Sequence, residues 1–170
     1  MGFFSTDIET MDDLFVHTLR SMYYAEQQIL QTLSTMVEKA TNPELKSAFE
    51  QHLAETQGHV RRIEEVFEMH GVERQTASCP AIDGILKEGD GIAGEVDVDD
   101  EQILDAALIA AAQAVEHYEI ARYGTLIAWA KELGRTDCAS VLHENLEEEK
   151  AADQKLTKIA ESEISFQASA

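Results

Sequence analysis

Proline, cysteine, aromatic residues and positive charge are all scarce in this chain. Two prolines and an aromatic content of 6% leave little to punctuate or fill an all-β domain, so helices are expected to dominate. The two cysteines, Cys79 and Cys138, lie far apart and form no CxxC pair. That argues against a thiolate zinc site or a redox dithiol, and both are read as reduced, structural residues. Thirteen basic residues stand against 33 acidic ones, a formal charge of −20. Such a surface repels phosphate backbones and anionic headgroups, which disfavours nucleic acid and lipid as partners. No run approaches the roughly 20 apolar residues of a membrane span, and the opening "MGFFSTDIETMDD" has no signal-peptide pattern. A cytoplasmic location is therefore expected.

The chain does hold apolar residues in quantity. They make up 44% of its 170 residues, enough for one core and too many for a disordered polymer. Their spacing follows the helical period nearly everywhere outside one long connection. Helix A is expected over about 10–40, with apolar positions Phe15, Leu19, Met22, Leu30, Leu33, Val37 and Ala40 and a capping signal at Thr10 and Asp13. Asn42 as N-cap and Pro43 at the first helical position open helix B, about 43–70, which stops at Gly71. Helix C follows the acidic "DVDD" over about 101–133 and stops at Gly134; helix D covers about 136–162. The tail "FQASA" reads as frayed.

The tight joins make A–B and C–D antiparallel hairpins. Between them, residues of about 72–99 form a Gly- and Asp-rich connection with a short helix at "PAIDGILKE". A structureless loop of that length does not suit a compact domain, so the segment must cross the bundle. Two hairpins joined by one long crossover describe a single all-α domain, a four-helix bundle of ferritin-like connectivity.

Polar residues interrupt the apolar stripes at matching places. Sliding the second hairpin over the first sets Glu26 against Glu119, Glu55 against Glu149 and His59 against Asp153. Five carboxylates and an imidazole on inner faces would raise one another's pKa and weaken the core if left alone. Two divalent cations would neutralise most of that charge, and hard oxygen donors with a nitrogen suit iron or manganese. The candidate metal ligands are thus Glu26, Glu55, His59, Glu119, Glu149 and Asp153. Glu116, one turn before Glu119, is the alternative on helix C. In "ENLEEEK", Glu147 or Glu148 would face inward in place of Glu149 if helix D were rotated. His52 is a candidate to orient a ligand from behind. Tyr23, Tyr118 and Tyr123 are read as packing residues, and His17, His70, His117 and His143 receive no role.

The stretches "DLFVHTLRSMYYAEQQI", "HLAETQGHVRRIEEVF", "CPAIDGILKEG", "AAQAVEHYEIARYGTLIAWAKELG" and "LEEEKAADQKLTKIAE" resemble, in order and over nearly the whole chain, the stress-associated bacterial YciE/YciF-like family of ferritin-like proteins. The wider ferritin-like superfamily takes one Glu from each of two helices and a Glu-x-x-His pair from each of the others. By that resemblance Glu26 and Glu119 are the single glutamates, Glu55 and Glu149 bridge two ions, and His59 and Asp153 are terminal ligands. The pairs here are spaced i, i+4, and Asp153 stands where an imidazole is usual. The resemblance also implies a homodimer and a stress-related role. Two readings of function follow. One is a di-metal oxidoreductase, peroxidase-, catalase- or ferroxidase-like, that meets peroxide or O2 at the metal centre itself. The other is a non-enzymatic structural or partner-binding bundle in which metal is only structural or absent.

Overall fold

The computed structural model describes residues 8–96 and 100–162, so most of "DVDD" and the tail "FQASA" lie outside the described residues. Five helices follow in order: α1 (Met11–Lys39), α2 (Pro43–His70), α3 (Pro80–Glu95), α4 (Glu101–Glu132) and α5 (Thr136–Ser162). Among the described residues there is no strand, and no helix is long and apolar enough to cross a membrane.

Local chemistry sets the helix ends. Thr10 and Asp13 form a reciprocal capping box, with Asp13 N donating to Thr10 Oγ1 (3.1 Å) and Thr10 N to Asp13 Oδ2 (2.9 Å). Asn42 Oδ1 accepts from the backbone of Glu44 (2.9 Å) and Leu45 (3.0 Å), and Pro43 fills the position that needs no donor. Gly71 ends α2 at φ 74°, a left-handed conformation that a Cβ disfavours.

The four long helices pack in a ring in which α1 touches α2, α2 touches α5, α5 touches α4 and α4 touches α1. Neighbours run antiparallel. Along the α1–α4 contact Glu26 lies beside Tyr123 and Thr41 beside Asp105; along α2–α5, Gln51 lies beside Lys155 and Arg62 beside Asn145. One end of the bundle is marked by His70, which meets Asp12 at 2.8 Å, and the opposite end by Asp105. Buried Asp105 accepts from Thr41 N (2.9 Å), Thr41 Oγ1 (2.7 Å) and Asn42 N (2.8 Å), which ties the α1–α2 turn to the start of α4. The chain leaves α2 at the first end and enters α4 at the second, so the connection between them has to run the length of the bundle.

Helix α3 makes that climb against α4 and α1. It is longer than "PAIDGILKE", continuing to Glu95 through three glycines that disfavour a helix on propensity alone. Packing outweighs that cost. Ile82 is fully buried, and Gly89 lies so close to α4 that a Cβ there would come within 2.9 Å of the Ala111 side chain. Because α4 contacts α1, α3 and α5, its apolar residues spread around much of its circumference, whereas α1 and α2 show cleaner stripes. Phe15, Leu19, Met22, Phe49, Ile63, Phe67, Leu126, Leu142 and Ile159 are at most 2% exposed, each contributing roughly 1.5–3 kcal/mol by burial.

Candidate metal centre

Seven-residue steps bring one side chain per two turns back to the same helix face. On α2 this column is Leu45, His52, His59, Val66; on α1 it is Leu19, Glu26, Leu33; on α5 it is Leu142, Glu149, Leu156. The polar members of each column, one on α1 and α5 and two on α2, are flanked by apolar members that point to the bundle axis, so they are carried inward with them. Helix α4 adds Glu116 and Glu119. Glu26, His59, Glu119 and Glu149 are fully buried, Glu116 is 2% exposed and His52 5%.

These side chains form two groups of close donor atoms: Glu26, His59 and Glu149, and His52, Glu116, Glu119 and Glu149. Within each group one donor atom per residue lies within 4.8 Å of the others. Glu149 belongs to both. His59 Nδ1 sits 2.8 Å from Glu149 Oε1 and 3.5 Å from Glu26 Oε1; His52 Nε2 sits 3.2 Å from Glu116 Oε1 and 3.4 Å from Glu149 Oε2.

Despite this proximity the inner atoms are not aligned for hydrogen bonds. Glu26 Oε2, His52 Nε2, His59 Nδ1, Glu116 Oε2 and both oxygens of Glu119 and Glu149 are buried without a partner. Among the described residues the only further atom of this kind is Arg20 Nε. Buried polar atoms are nearly always satisfied, and leaving one unmade costs about 1–3 kcal/mol, more where charge is involved. Eight such atoms converging on one point could hold a cation. Four carboxylates match two divalent ions in charge, with the imidazoles neutral, and the oxygen-rich set with two nitrogens fits iron or manganese.

The outer atoms of both imidazoles are held by carboxylates. His59 Nε2 lies 2.9 Å from Glu148 Oε2, and His52 Nδ1 lies 3.3 Å from Glu55 Oε2. A histidine that donates one ring nitrogen to a carboxylate presents the other, unprotonated, to a metal. Glu148 is itself gripped by Arg62, whose Nη1 donates to Oε2 (2.9 Å) and Nη2 to Oε1 (2.8 Å). Arg62 Nη1 also donates to Asn145 Oδ1 (2.9 Å), Asn145 Nδ2 donates to the Tyr123 hydroxyl (2.9 Å), and that hydroxyl donates to Glu26 Oε1. The chain Glu26–Tyr123–Asn145–Arg62–Glu148–His59 thus begins and ends on members of one group.

Without metal, protons take up part of the charge. Burial and then the charges of Glu149, Glu26 and Glu116 hold the Glu119 carboxyl far above the usual range. Burial likewise raises Glu149 to about 8, against the opposing pull of His59. For His59 burial disfavours the charged ring, but Glu26 and Glu149 outweigh it and raise it to about 10; His52 is raised in the same way by Glu116 and Glu55. Glu55 is lowered, chiefly by its bond to His52. Burial and the charges of Glu26, Glu119 and Glu149 keep the Tyr123 hydroxyl protonated.

Of the residues singled out from the sequence, the structure brings together Glu26, His59, Glu119, Glu149, Glu116 and His52. Glu55 stands outside both groups, behind His52 and one quarter exposed, with Oε1 accepting from Gln51 Nε2 (2.7 Å). Asp153 is half-buried beside Gln113 (3.1 Å) and His117 (3.3 Å), also outside. Sequence reasoning gave no role to Arg62 or Asn145 and read Tyr123 as packing. Arg62 sits off the apolar stripe of α2 and Asn145 among other polar residues, and their partners come only from the packing of α5 against α2 and α4.

The fold and the buried carboxylate–imidazole cluster define a helical bundle protein with a candidate metal centre. The family described as Domain of unknown function (DUF892) matches residues 10–169, and the chain belongs to it. Protein YciF of Escherichia coli (strain K12) is 41% identical over 155 residues, 91% of this chain and 92% of YciF. The crystal structure of that E. coli stress protein aligns at TM-score 0.85 and 42% identity, covering 90% of this chain and 96% of the other. YcfI of Rhodopseudomonas palustris, described as a candidate structural protein, aligns at TM-score 0.89 and 55% identity over 93% of this chain and 99% of its own. A protein of Xanthomonas campestris pv. campestris, 22% identical, shares the fold at TM-score 0.71 over 90% of this chain and 92% of its own.

Proposed function

We propose that this chain is a single ferritin-like domain that holds two iron or manganese ions and acts in stress as an oxidoreductase on peroxide, O2 or ferrous iron. The observation that carries the reading is the set of eight buried, partnerless donor atoms around Glu149. The single long crossover between two antiparallel hairpins supports the ferritin-like assignment.

In this reading Glu26, His59 and Glu149 would hold one ion, and His52, Glu116, Glu119 and Glu149 the other, with Glu149 common to both groups. Glu55 and Glu148 fix the ring orientation of His52 and His59 and keep their inner nitrogens free of protons. The Tyr123 hydroxyl keeps its proton against Glu26, which orients that carboxylate and lowers its effective charge. Apolar neighbours such as Ile29 and Val115, beside Glu116, exclude bulk water and strengthen the interactions inside. A bound pair of such ions would supply one electron each to dioxygen or peroxide.

A second reading is a structural bundle in which imidazolium and carboxylate neutralise one another without metal. The protonated states described above and the description of the R. palustris relative favour it. Melting the protein with and without a chelator, followed by peroxide loss on the iron- or manganese-loaded form, separates the two. Turnover together with a metal-dependent gain in melting temperature supports the oxidoreductase. Metal-independent melting and no turnover support the structural reading. A sizing column distinguishes a dimer from the hollow shell that iron storage would require.

A further inference from the structure

The two halves of the cluster differ in their route to solvent. Between α2 and α5 lies a cavity of about 120 Å³ whose lining includes Ala48, His52, Glu55, Glu116, Ala151 and Lys155. Its inner wall carries His52 and Glu116, each more than nine-tenths buried and each with a partnerless atom, Nε2 and Oε2. Its rim is latched: Lys155 Nζ donates to Gln51 Oε1 (2.9 Å), Gln51 Nε2 donates to Glu55 Oε1 (2.7 Å), and Glu55 Oε2 is 3.3 Å from His52 Nδ1. A polar chain therefore runs from a half-buried ammonium to the metal-binding nitrogen. The space beside Glu116 on its other side, among Ile29, Leu33, Met36, Leu86 and Ala112, is about 10 Å³ and apolar, with room for one water at most and little to hold it. Glu26 and His59 are instead closed over by Tyr123, Asn145, Arg62 and Glu148.

We infer that the α2–α5 cavity is the port through which metal ions and water-sized molecules reach the His52–Glu116–Glu119 position, while the Glu26–His59 position behind it exchanges only when its hydrogen-bonded cover opens. The inference rests on the two-ion reading above. Glu55, at the port and partly exposed, offers an entering cation a carboxylate before it meets the buried ones. The volume admits a few waters, dioxygen or hydrogen peroxide.

The full chain is loaded with Co2+, mixed with excess chelator, and its cobalt absorption followed in a stopped-flow instrument. Two release phases of equal amplitude are expected, about tenfold or more apart in rate. Ala151→Trp, at an exposed position on the rim, is expected to slow the fast phase by about fivefold and leave the slow phase within about twofold. Lys155→Ala removes the latch and is expected to speed the fast phase; it decides the matter alone should the tryptophan variant lose helix content. Two bound ions released in one phase, or a fast phase indifferent to both variants, overturn the port and leave the metal reading standing. Wild-type protein that takes up no cobalt overturns both.

Discussion

His52 and His59 sit two turns apart on one helix, and each offers one nitrogen to the cluster and the other to a glutamate. Beyond that first likeness their surroundings diverge. His59 is enclosed by a network of Glu148, Arg62, Asn145 and Tyr123 that returns to Glu26, whereas His52 forms the wall of a cavity latched by Glu55, Gln51 and Lys155. One sequence period thus carries two imidazoles with similar partners into different surroundings. The difference comes from what α5 places opposite each ring: Asn145 and Glu148 at one level, the small Ala151 and Ala152 at the other.

Glu149 is common to both positions, and its replacement should have the largest effect. Glu149→Ala is expected to bind fewer than two ions by elemental analysis and to lose the metal-dependent rise in melting temperature. A variant that keeps two ions would break the comparison, because the halves would then not share a ligand.

Acidity should act almost as strongly on the metal-free protein. Folding raises Glu119 and Glu149, the latter to about 8, so between roughly pH 4.5 and 8 the folded chain binds protons that the unfolded chain has lost. His59, raised from 6.5 to about 10, contributes stability that is full below 6.5 and lost as pH rises through about 10; His52 acts in the same direction. All four groups have the same sign, so chelated protein should melt lower as pH rises from 6 to 9, by about 5 °C or more. Saturating Mn2+ should reduce or reverse the fall, since binding displaces those protons. Melting that is flat with pH in the chelator would show that the cluster is not buried together.

Glu55→Gln and Glu148→Gln sharpen the contrast between halves. Loss of a carboxylate behind a ligating histidine typically costs about 10–100-fold in metal affinity. Each substitution is expected to weaken one of two sites, read by titration calorimetry, and the two together to weaken both. Tyr123→Phe leaves Glu26 and Asn145 short of a partner and is expected to cost about 1–3 kcal/mol in denaturant melts, with the Glu26–His59 position the more affected. The smallest effect belongs to Thr10→Ala, which removes the α1 cap far from the cluster: about 1 kcal/mol of stability and no change in metal binding.

The helix ends were legible because capping is local. Thr10, Asn42, Pro43 and Gly71 act on backbone groups within four residues, and their meaning survives without a neighbour. The site was less so. Glu26, His59, Glu119 and Glu149 stand out as polar breaks in apolar stripes, but Glu55 and His52 lie on the same turn, and matching one hairpin to the other favoured the carboxylate. The column Leu45, His52, His59, Val66 was the signal that places His52 inward and turns Glu55 about 40–60° aside. The network around Tyr123 depends on which residues of α5 face α2 and α4, a tertiary fact that no single helix encodes. The extension of α3 through its glycines has the same origin, since close packing on Ala111 of α4 outweighs local propensity.

The central claim is that one carboxylate, Glu149, joins two ions inside the bundle. Crystals soaked in Mn2+ and measured for anomalous scattering at the manganese edge test it most directly. The account predicts two peaks, one among Glu26, His59 and Glu149 and one among His52, Glu116, Glu119 and Glu149. Manganese peaks confined to the acidic surface, or no peak within reach of Glu149, would contradict it.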